Sequence, residues 1–332
     1  MVVRTYPADF GHTTVINNLC IGLKKLGYET TIGAFSFEND PPHSIPKIQL
    51  NKTNLLFSGI DKLGFDIIHT HQAFPNYFLL FKKSSKPIIL HYHGASNFIQ
   101  RINFKISMTI FKNRFSKIIS VSKSGIIQMK NMIGDVSAEV VYNGVDCNFY
   151  HPSLPKPYKK GSPQLLFVSG LRSYKRADVL INFIPNLLSV FPDVHLQIVG
   201  KGEEFEKLEK LILEKQLQNH VELTGKITND ELKLRYSSCD VYISASTFEV
   251  CPVPTLEAMA CGKPLLLFDI EPHNEIIDIS HAGKIFQDVN FLIKLSEVYE
   301  KKNEYSINAI NFAKSVDWDN ICKKMAKIYE ES

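Results

Sequence analysis

The sequence predicts an α/β protein built of two doubly wound halves, on three observations. Short apolar runs alternate with helix-period segments along the chain, as layers of parallel strands and helices require. The stretch HPSLPKPYKKGSPQ, His151 to Gln164, holds four prolines and no apolar period, and reads as a linker. A second alternating series begins after it. At 332 residues, 44% apolar and 22% charged, the chain is long enough for two cored domains and too apolar for disorder.

Taken in order, strands are expected at MVVRTY, ETTIGAF, FDIIHTH, PIILHYH, KIISVS and AEVVYN, all β-branched or aromatic runs of strand length. Between the first two, TTVINNLCIGLKKLG carries Val15, Leu19 and Leu23 at four-residue spacing and stops at Gly27, which reads as a helix. The second half runs strand QLLFVSG, helix ADVLINFIPNLLSVF, strand VHLQIVG, a charged helix EEFEKLEKLILEKQL, then strands VELTG and DVYISAS. A closing helix is expected around Asn311 to Glu330. The expected domains are residues 1–152 and 153–332, with the last helix, about 314–332, free to pack back on the first.

No run of about 18 apolar residues exists, and the N-terminus leads straight into a strand, so a cytoplasmic protein without membrane span or signal peptide is expected. Six scattered cysteines, with no C-x-x-C pair, argue against a zinc site or disulfide framework. The net charge of +4 is uneven. Residues 1–150 carry 16 Lys and Arg against 9 Asp and Glu, and between Asp66 and Asp135 there are ten basic residues and no acid. That region calls for an anionic neighbour. If Arg101 to Lys117 is helical, Phe104, Met108, Phe111 and Phe115 form one stripe and Ile102, Ile106 and Ile110 another. One stripe fits a core. The other, edged by Arg101, Lys105 and Lys112, has the composition of a helix lying on an anionic bilayer, unless a neighbouring helix covers both.

The segment TFEVCPVPTLEAMACGKP, Thr247 to Pro264, concentrates the chemistry. Pro252 and Pro254 prevent one continuous helix, and Pro254 suits the first position of a helix that ends at Gly262. Glu249 then lies in the preceding loop and Glu257 in the first turns. Both border a helix N-terminus, where N–H groups and the macrodipole favour an anion, phosphate above all. Carboxylates there would repel the phosphate itself, so their targets are neutral hydroxyls attached to it, as in a sugar nucleotide.

With these motifs in place, the chain resembles the retaining glycosyltransferases of family 4. Glu249-x7-Glu257 followed by AMACGKP is similar to the family's E-x7-E segment; FGHTTVINNLCIGLKKLG resembles its opening glycine loop and helix; HYHGAS its His-Gly strand end; VVYNGVDCNFYHP its interdomain segment. LLFVSGLRSYKRADVLI and VGKGEE match the start of the second domain, and VDWDNICKKMAKIYEE the terminal tryptophan helix. The resemblance implies the GT-B fold, two Rossmann-like domains facing a central cleft. It implies that Glu249, with the backbone N–H groups of Val250 and Cys251, holds sugar hydroxyls, and that Glu257 binds the ribose. Lys175 would neutralise the departing diphosphate, aided by amides at Thr255 and Leu256 and by the Gly11 loop. His93 would contact the donor sugar and Ile227 would meet the base. His69 and His71 fall two apart on a strand, so they share a face. They are structural if that face is core, and His71 is otherwise a candidate for the acceptor pocket.

Three positions depart from the family pattern. Gly170 stands where a phosphate-binding arginine is expected, with Arg172 two residues on; Pro252 replaces a glycine that would donate an N–H; IEPHNEII lacks the usual glycine pair. Gly200 and Gly202 in VGKGEE are explained by a tight turn alone.

The implied reaction is transfer of a sugar, with retention, from a nucleotide-diphosphate sugar, most often UDP-linked, to a lipid-linked or polysaccharide acceptor. Charge develops on the β-phosphate as the glycosidic bond breaks, so no metal or other cofactor is expected. The expected partners are the nucleotide sugar, the glycan or lipid acceptor and an anionic membrane surface, with no nucleic acid. The same fold also serves sugar-nucleotide 2-epimerases and binding relatives that have lost catalysis. A retaining glycosidase, which needs two carboxylates about 5 Å apart across the bond, fits less well.

Overall fold

The computed structural model describes residues 1–7 and 12–332. These divide into two compact units, residues 1–144 with 318–332, and residues 145–317. The change of unit falls at 144/145, ahead of the proline-rich segment, and the chain rejoins the first unit at Trp318.

In the first unit the strands are β1 (Val2–Tyr6), β2 (Ile32–Phe37), β3 (Lys47–Gln49), β4 (Ile68–Thr70), β5 (Ile88–Tyr92), β6 (Lys117–Ser120) and β7 (Glu139–Val140). They form one parallel sheet in the order β3-β2-β1-β4-β5-β6-β7. Its helices are α1 (His12–Lys25), α2 (Lys52–Ser58), α3 (Ala73–Leu79), α4 (Phe98–Phe111) and α5 (Lys123–Ile133), and the terminal helix described below joins them. Strands covered on both faces lose the polar alternation of an exposed sheet, and all five residues of β5 are buried.

The second unit carries strands β8 (Gln164–Val168), β9 (His195–Val199), β10 (Val221–Gly225), β11 (Val241–Ser244), β12 (Leu265–Phe268) and β13 (Gly283–Phe286). Their order is β10-β9-β8-β11-β12-β13, again parallel. Its helices are α6 (Ala177–Leu188), α7 (Phe205–Glu214), α8 (Asn229–Ser238), α9 (Val253–Ala260), α10 (Glu271–Ser280), α11 (Phe291–Glu300) and α12 (Lys302–Ser315). Leu165, Phe167, Leu196, Ile198, Ile243 and Leu266 from the sheet pack with Leu180, Ile181 and Ile184 of α6 in one core. Each such side chain contributes roughly 1.5–3 kcal/mol of burial.

Most expected elements are present, with three differences. The short strands β3, β12 and β13 appear where none was expected. The closing helix is two, α12 and α13 (Trp318–Glu330), separated at Val316 and Asp317, and only α13 belongs to the first unit. Helix α4 ends at Phe111 and a 3-10 turn, Lys112–Arg114, follows, so Phe115 lies beyond the helix because Lys117 already starts β6.

Glycine governs two close approaches. A Cβ on Gly144 would lie 2.4 Å from the Trp318 ring, so the end of the interdomain motif and the start of the tryptophan helix interlock only through a bare backbone. Gly200 and Gly202 do more than turn the chain. A Cβ on Gly200 would meet the Ser169 carbonyl oxygen at 1.8 Å, and one on Gly202 the Leu171 oxygen at 2.1 Å. The loops after β8 and β9 are therefore pressed backbone to backbone, joined by Ser169 N–H to Val199 O at 3.0 Å and Leu171 N–H to Lys201 O at 2.9 Å. Gly202→Ala should cost about 2 kcal/mol, the scale of an overpacked core, read as a lower urea midpoint at unchanged m-value.

Candidate functional site

In a parallel sheet, loops leave from the carboxyl ends of strands, and neighbouring loops part where the strand order reverses. In the second unit that reversal lies between β8 and β11. The loop after β8 carries Gly170, Arg172 and Lys175; the loop after β11 carries Glu249 and leads into α9. The two loops are tied by Thr247, whose N–H donates to the Tyr174 carbonyl at 2.9 Å and whose hydroxyl donates to the same oxygen at 3.1 Å. The rings of Tyr174 and Phe248 meet edge to face at 6.1 Å.

Held this way, Lys175 Nζ donates to Glu249 Oε1 at 2.5 Å, with only 15% and 14% of the two side chains exposed. A charge-assisted bond in so dry a setting is stronger than a surface ion pair and fixes both groups in place. Helix α9 begins at Val253, one residue before the expected start, with Pro252 as its N-cap residue. Pro252 and Pro254 have no N–H, and the N–H of Thr255 donates to the Pro252 carbonyl at 3.1 Å. Thr255 and Leu256 are both buried, as are Val250 and Cys251 in the loop before them.

Glu257 is half-buried on α9 and its Oε2 accepts a hydrogen bond from the Tyr236 hydroxyl of α8 at 2.8 Å. Burial pushes the carboxyl up to about 7, and hydrogen bonds from Tyr236 and Tyr150 work against that rise. The rings of Tyr150 and Tyr236 pack edge to face at 5.7 Å, so both hydroxyls are directed by packing. Neither tyrosine was singled out in the sequence; each acts through Glu257 from another element.

Around this centre, Gly170 has open space, since a Cβ there would find only the Lys201 carbonyl oxygen at 4.0 Å. Arg172 approaches the Tyr174 hydroxyl at 3.5 Å. Ile227, just past β10, lines a depression of about 620 Å³ with Glu222, Thr224, Lys226, Thr228, Glu231 and Arg235. His273, in the IEPHNEII segment that lacks the glycine pair, forms part of the first turns of α10. Its Nδ1 lies 2.7 Å from the Phe268 carbonyl, its Nε2 is buried without a hydrogen-bond partner, and it feels the charges of Glu249 and Lys175. A buried imidazole nitrogen on a ring that senses that ion pair is a further candidate for a sugar hydroxyl.

In the first unit, His93 follows β5 and is half-buried. Its Nε2 lies 2.9 Å from Nδ1 of His71, and its ring packs on His12 at 4.5 Å. Burial, together with the neighbouring imidazoles, holds His93 well below the usual histidine range, so it is neutral at pH 7. His69 and His71 face the core, each 2% exposed. His71 thus presents no free surface to an acceptor in this structure. Gly11 lies outside the described residues. Arg101, Lys105 and Lys112 are all exposed.

A family model described as "Glycosyl transferases group 1" matches residues 153–324, and one described as "Glycosyltransferase Family 4" matches residues 11–149. An uncharacterized glycosyltransferase of Methanocaldococcus jannaschii is 27% identical over 98% of this chain and 96% of its own length. The phosphatidyl-myo-inositol mannosyltransferase of Mycolicibacterium smegmatis is 24% identical over 80% of this chain and 71% of its own. The crystal structure of Anabaena HepE in complex with UDP and glucose superposes with a TM-score of 0.77 at 18% identity, covering 100% of this chain and 98% of that one.

The Glu257 carboxyl has a testable thermodynamic signature. Its folded-state pKa lies above the unfolded value of 4.5, so ionising it costs folding free energy as pH rises from 4.5 to about 7, and the cost is constant above that. Glu257→Gln removes the cost. Thermal melts should show the variant gaining on the wild type between pH 5 and 8, by up to about 3 kcal/mol at roughly 1.4 kcal/mol per pKa unit. A gap independent of pH would contradict the burial argument.

Proposed function

We propose that this chain, which belongs to glycosyltransferase family 4, moves a sugar with retention from a UDP-sugar to a lipid-linked or polysaccharide acceptor. The observation that carries this reading is the Lys175–Glu249 pair, an ammonium and a carboxylate in contact at 2.5 Å where the sheet order reverses. One group suits a diphosphate and the other suits the hydroxyls of the sugar it carries.

When the bond between the anomeric carbon and the β-phosphate oxygen breaks, the electron pair stays on that oxygen, and Lys175 offsets the growing charge. Glu249 accepts hydrogen bonds from sugar hydroxyls, which orients the anomeric carbon. The acceptor hydroxyl attacks from the face the phosphate leaves, and the phosphate oxygen takes its proton, giving retention without a covalent enzyme intermediate. Neutral His93 suits a hydrogen bond to an uncharged sugar hydroxyl. Glu257, braced by Tyr236 and Tyr150, suits the ribose hydroxyls, and Ile227 in its depression suits a contact with the base. The complex of HepE with UDP and glucose supports UDP over other nucleotides. The two relatives described above are named as transferases, which favours transfer over the 2-epimerase reading.

The acceptor side rests on α4. Phe104, Met108 and Phe111 are buried, whereas Ile99, Ile102, Ile106 and Ile110 are 70%, 41%, 44% and 59% exposed. Four isoleucines in water beside Arg101, Lys105 and Lys112 make a surface for an anionic bilayer, where each cation adds about 1 kcal/mol. The mannosyltransferase named for phosphatidyl-myo-inositol supports a lipid acceptor.

Five measurements test these readings. In a thermal-shift screen of UDP-, GDP- and ADP-sugars, UDP-sugars should stabilise selectively, and the transferred sugar should keep its anomeric configuration by NMR. Lys175→Ala should lose about 100- to 1,000-fold in turnover, as when one transition-state donor is removed, and Gly170→Arg should tighten donor binding by about tenfold. An inverted product sinks the mechanism, and stabilisation without transfer to any acceptor favours a binding relative. Separately, the protein should sediment with anionic but not neutral vesicles, and charge reversal at Lys105 and Lys112 should abolish this. Failure with both vesicle types would end the membrane reading.

A further inference from the structure

The carboxyl ends of β4 and β5 hold a cluster of imidazoles that the transfer reaction does not use. We propose that His69, His71 and His91 form a binding site for one divalent transition-metal ion of the zinc and copper class. His69 and His71 alternate along one strand and therefore share a face, and the β4–β5 register, His69 beside Ile89 and Thr70 beside Leu90, carries His91 next to His71. One ligand atom from each of the three lies within 4.8 Å of the others, and each residue is 2% exposed.

The state of the ring nitrogens points to a missing ligand. Nε2 of His69 is buried without a hydrogen-bond partner, and His91 has at most a loose contact with the Val141 backbone, which leaves a second buried ring nitrogen unsatisfied. An unsatisfied buried polar atom is costly, and two together in one cluster are rare in a native core. Nδ1 of His69 lies 2.7 Å from the Tyr329 hydroxyl of α13. With Nδ1–H donating to that oxygen, Nε2 presents the lone pair a metal requires, the usual way an outer partner orients a histidine ligand. Neutral imidazole is the ligating form, and all three side chains are buried away from water. Imidazole sets of this kind suit zinc, copper or nickel and not magnesium or calcium, which take oxygen.

The rings stand open. His69 stacks on His71 at 4.3 Å and 24° and on His91 at 5.2 Å and 16°, whereas tetrahedral ligation at about 2.0–2.1 Å needs nitrogens about 3.3 Å apart. Loading therefore requires the stacked rings to tilt so that their lone pairs converge, from ligand atoms now within 4.8 Å of one another. Because Nδ1 of His71 lies 2.9 Å from Nε2 of His93, loading would also fix the proton arrangement of His93.

The test uses the full chain, stripped with a chelator and dialysed separately against zinc, copper, nickel and magnesium, with bound metal measured by mass spectrometry. One retained equivalent of zinc or copper and none of magnesium is expected. His91→Asn should retain none, and Tyr329→Phe should bind one equivalent about tenfold more weakly. No retained equivalent in the wild type, or equal retention by folded His91→Asn, overturns the proposal. Should His91→Asn fail to fold, cobalt loading of the wild type decides: an intense tetrahedral spectrum supports the site, and the weak spectrum of the aqueous ion overturns it.

Discussion

The second unit depends on the reversal of strand order between β8 and β11. Parallel strands send all their exits to one edge, and the reversal separates two adjacent exits, so a lysine 74 residues from a glutamate comes into contact with it. The Thr247 hydrogen bonds to Tyr174 and the Tyr174–Phe248 contact make the two loops one structure, and the glycines at 200 and 202 press the β9 exit against it. The position of the ion pair thus follows from backbone topology, and its strength from the apolar packing that keeps water out.

Much of this was legible in the sequence, for physical reasons that can be named. Buried parallel strands are continuous apolar runs, so IILHY and HLQIV declare themselves, and Pro252 and Pro254 split the Glu249–Glu257 segment into loop and helix. The two stripes of α4 followed from spacing alone, since Phe104 and Met108 are buried while Ile102 and Ile106 are exposed. Other features left no local trace. The Tyr236 hydroxyl reaches Glu257 from α8, a contact that no period encodes. The break at Val316 and Asp317 carries neither glycine nor proline; it coincides with the pairing of Val145 and Asp317, so tertiary structure overrides a helical pattern. His273 was hidden because its segment was judged by the glycines it lacks.

The first unit has a different character. Its sheet ends in neutral imidazoles packed on one another, its surface carries the acid-free basic stretch, and α4 leaves isoleucines in water. Hydrophobic side chains that a helix could have buried by a small rotation are displayed while the phenylalanine side is buried, so the display is not a packing failure: the core already uses the opposite face.

The prolines of α9 carry one last implication. Of positions 252 to 255, two have no amide hydrogen and a third, Thr255, donates its own back to Pro252. The fixed dipoles that usually grip an anion at such a terminus are largely spent. Among the described residues, attraction then rests chiefly on side-chain charge, that of Lys175 above all, held by Glu249. Salt screens such a charge, so the pocket's hold on an anion should slacken as the medium grows saltier.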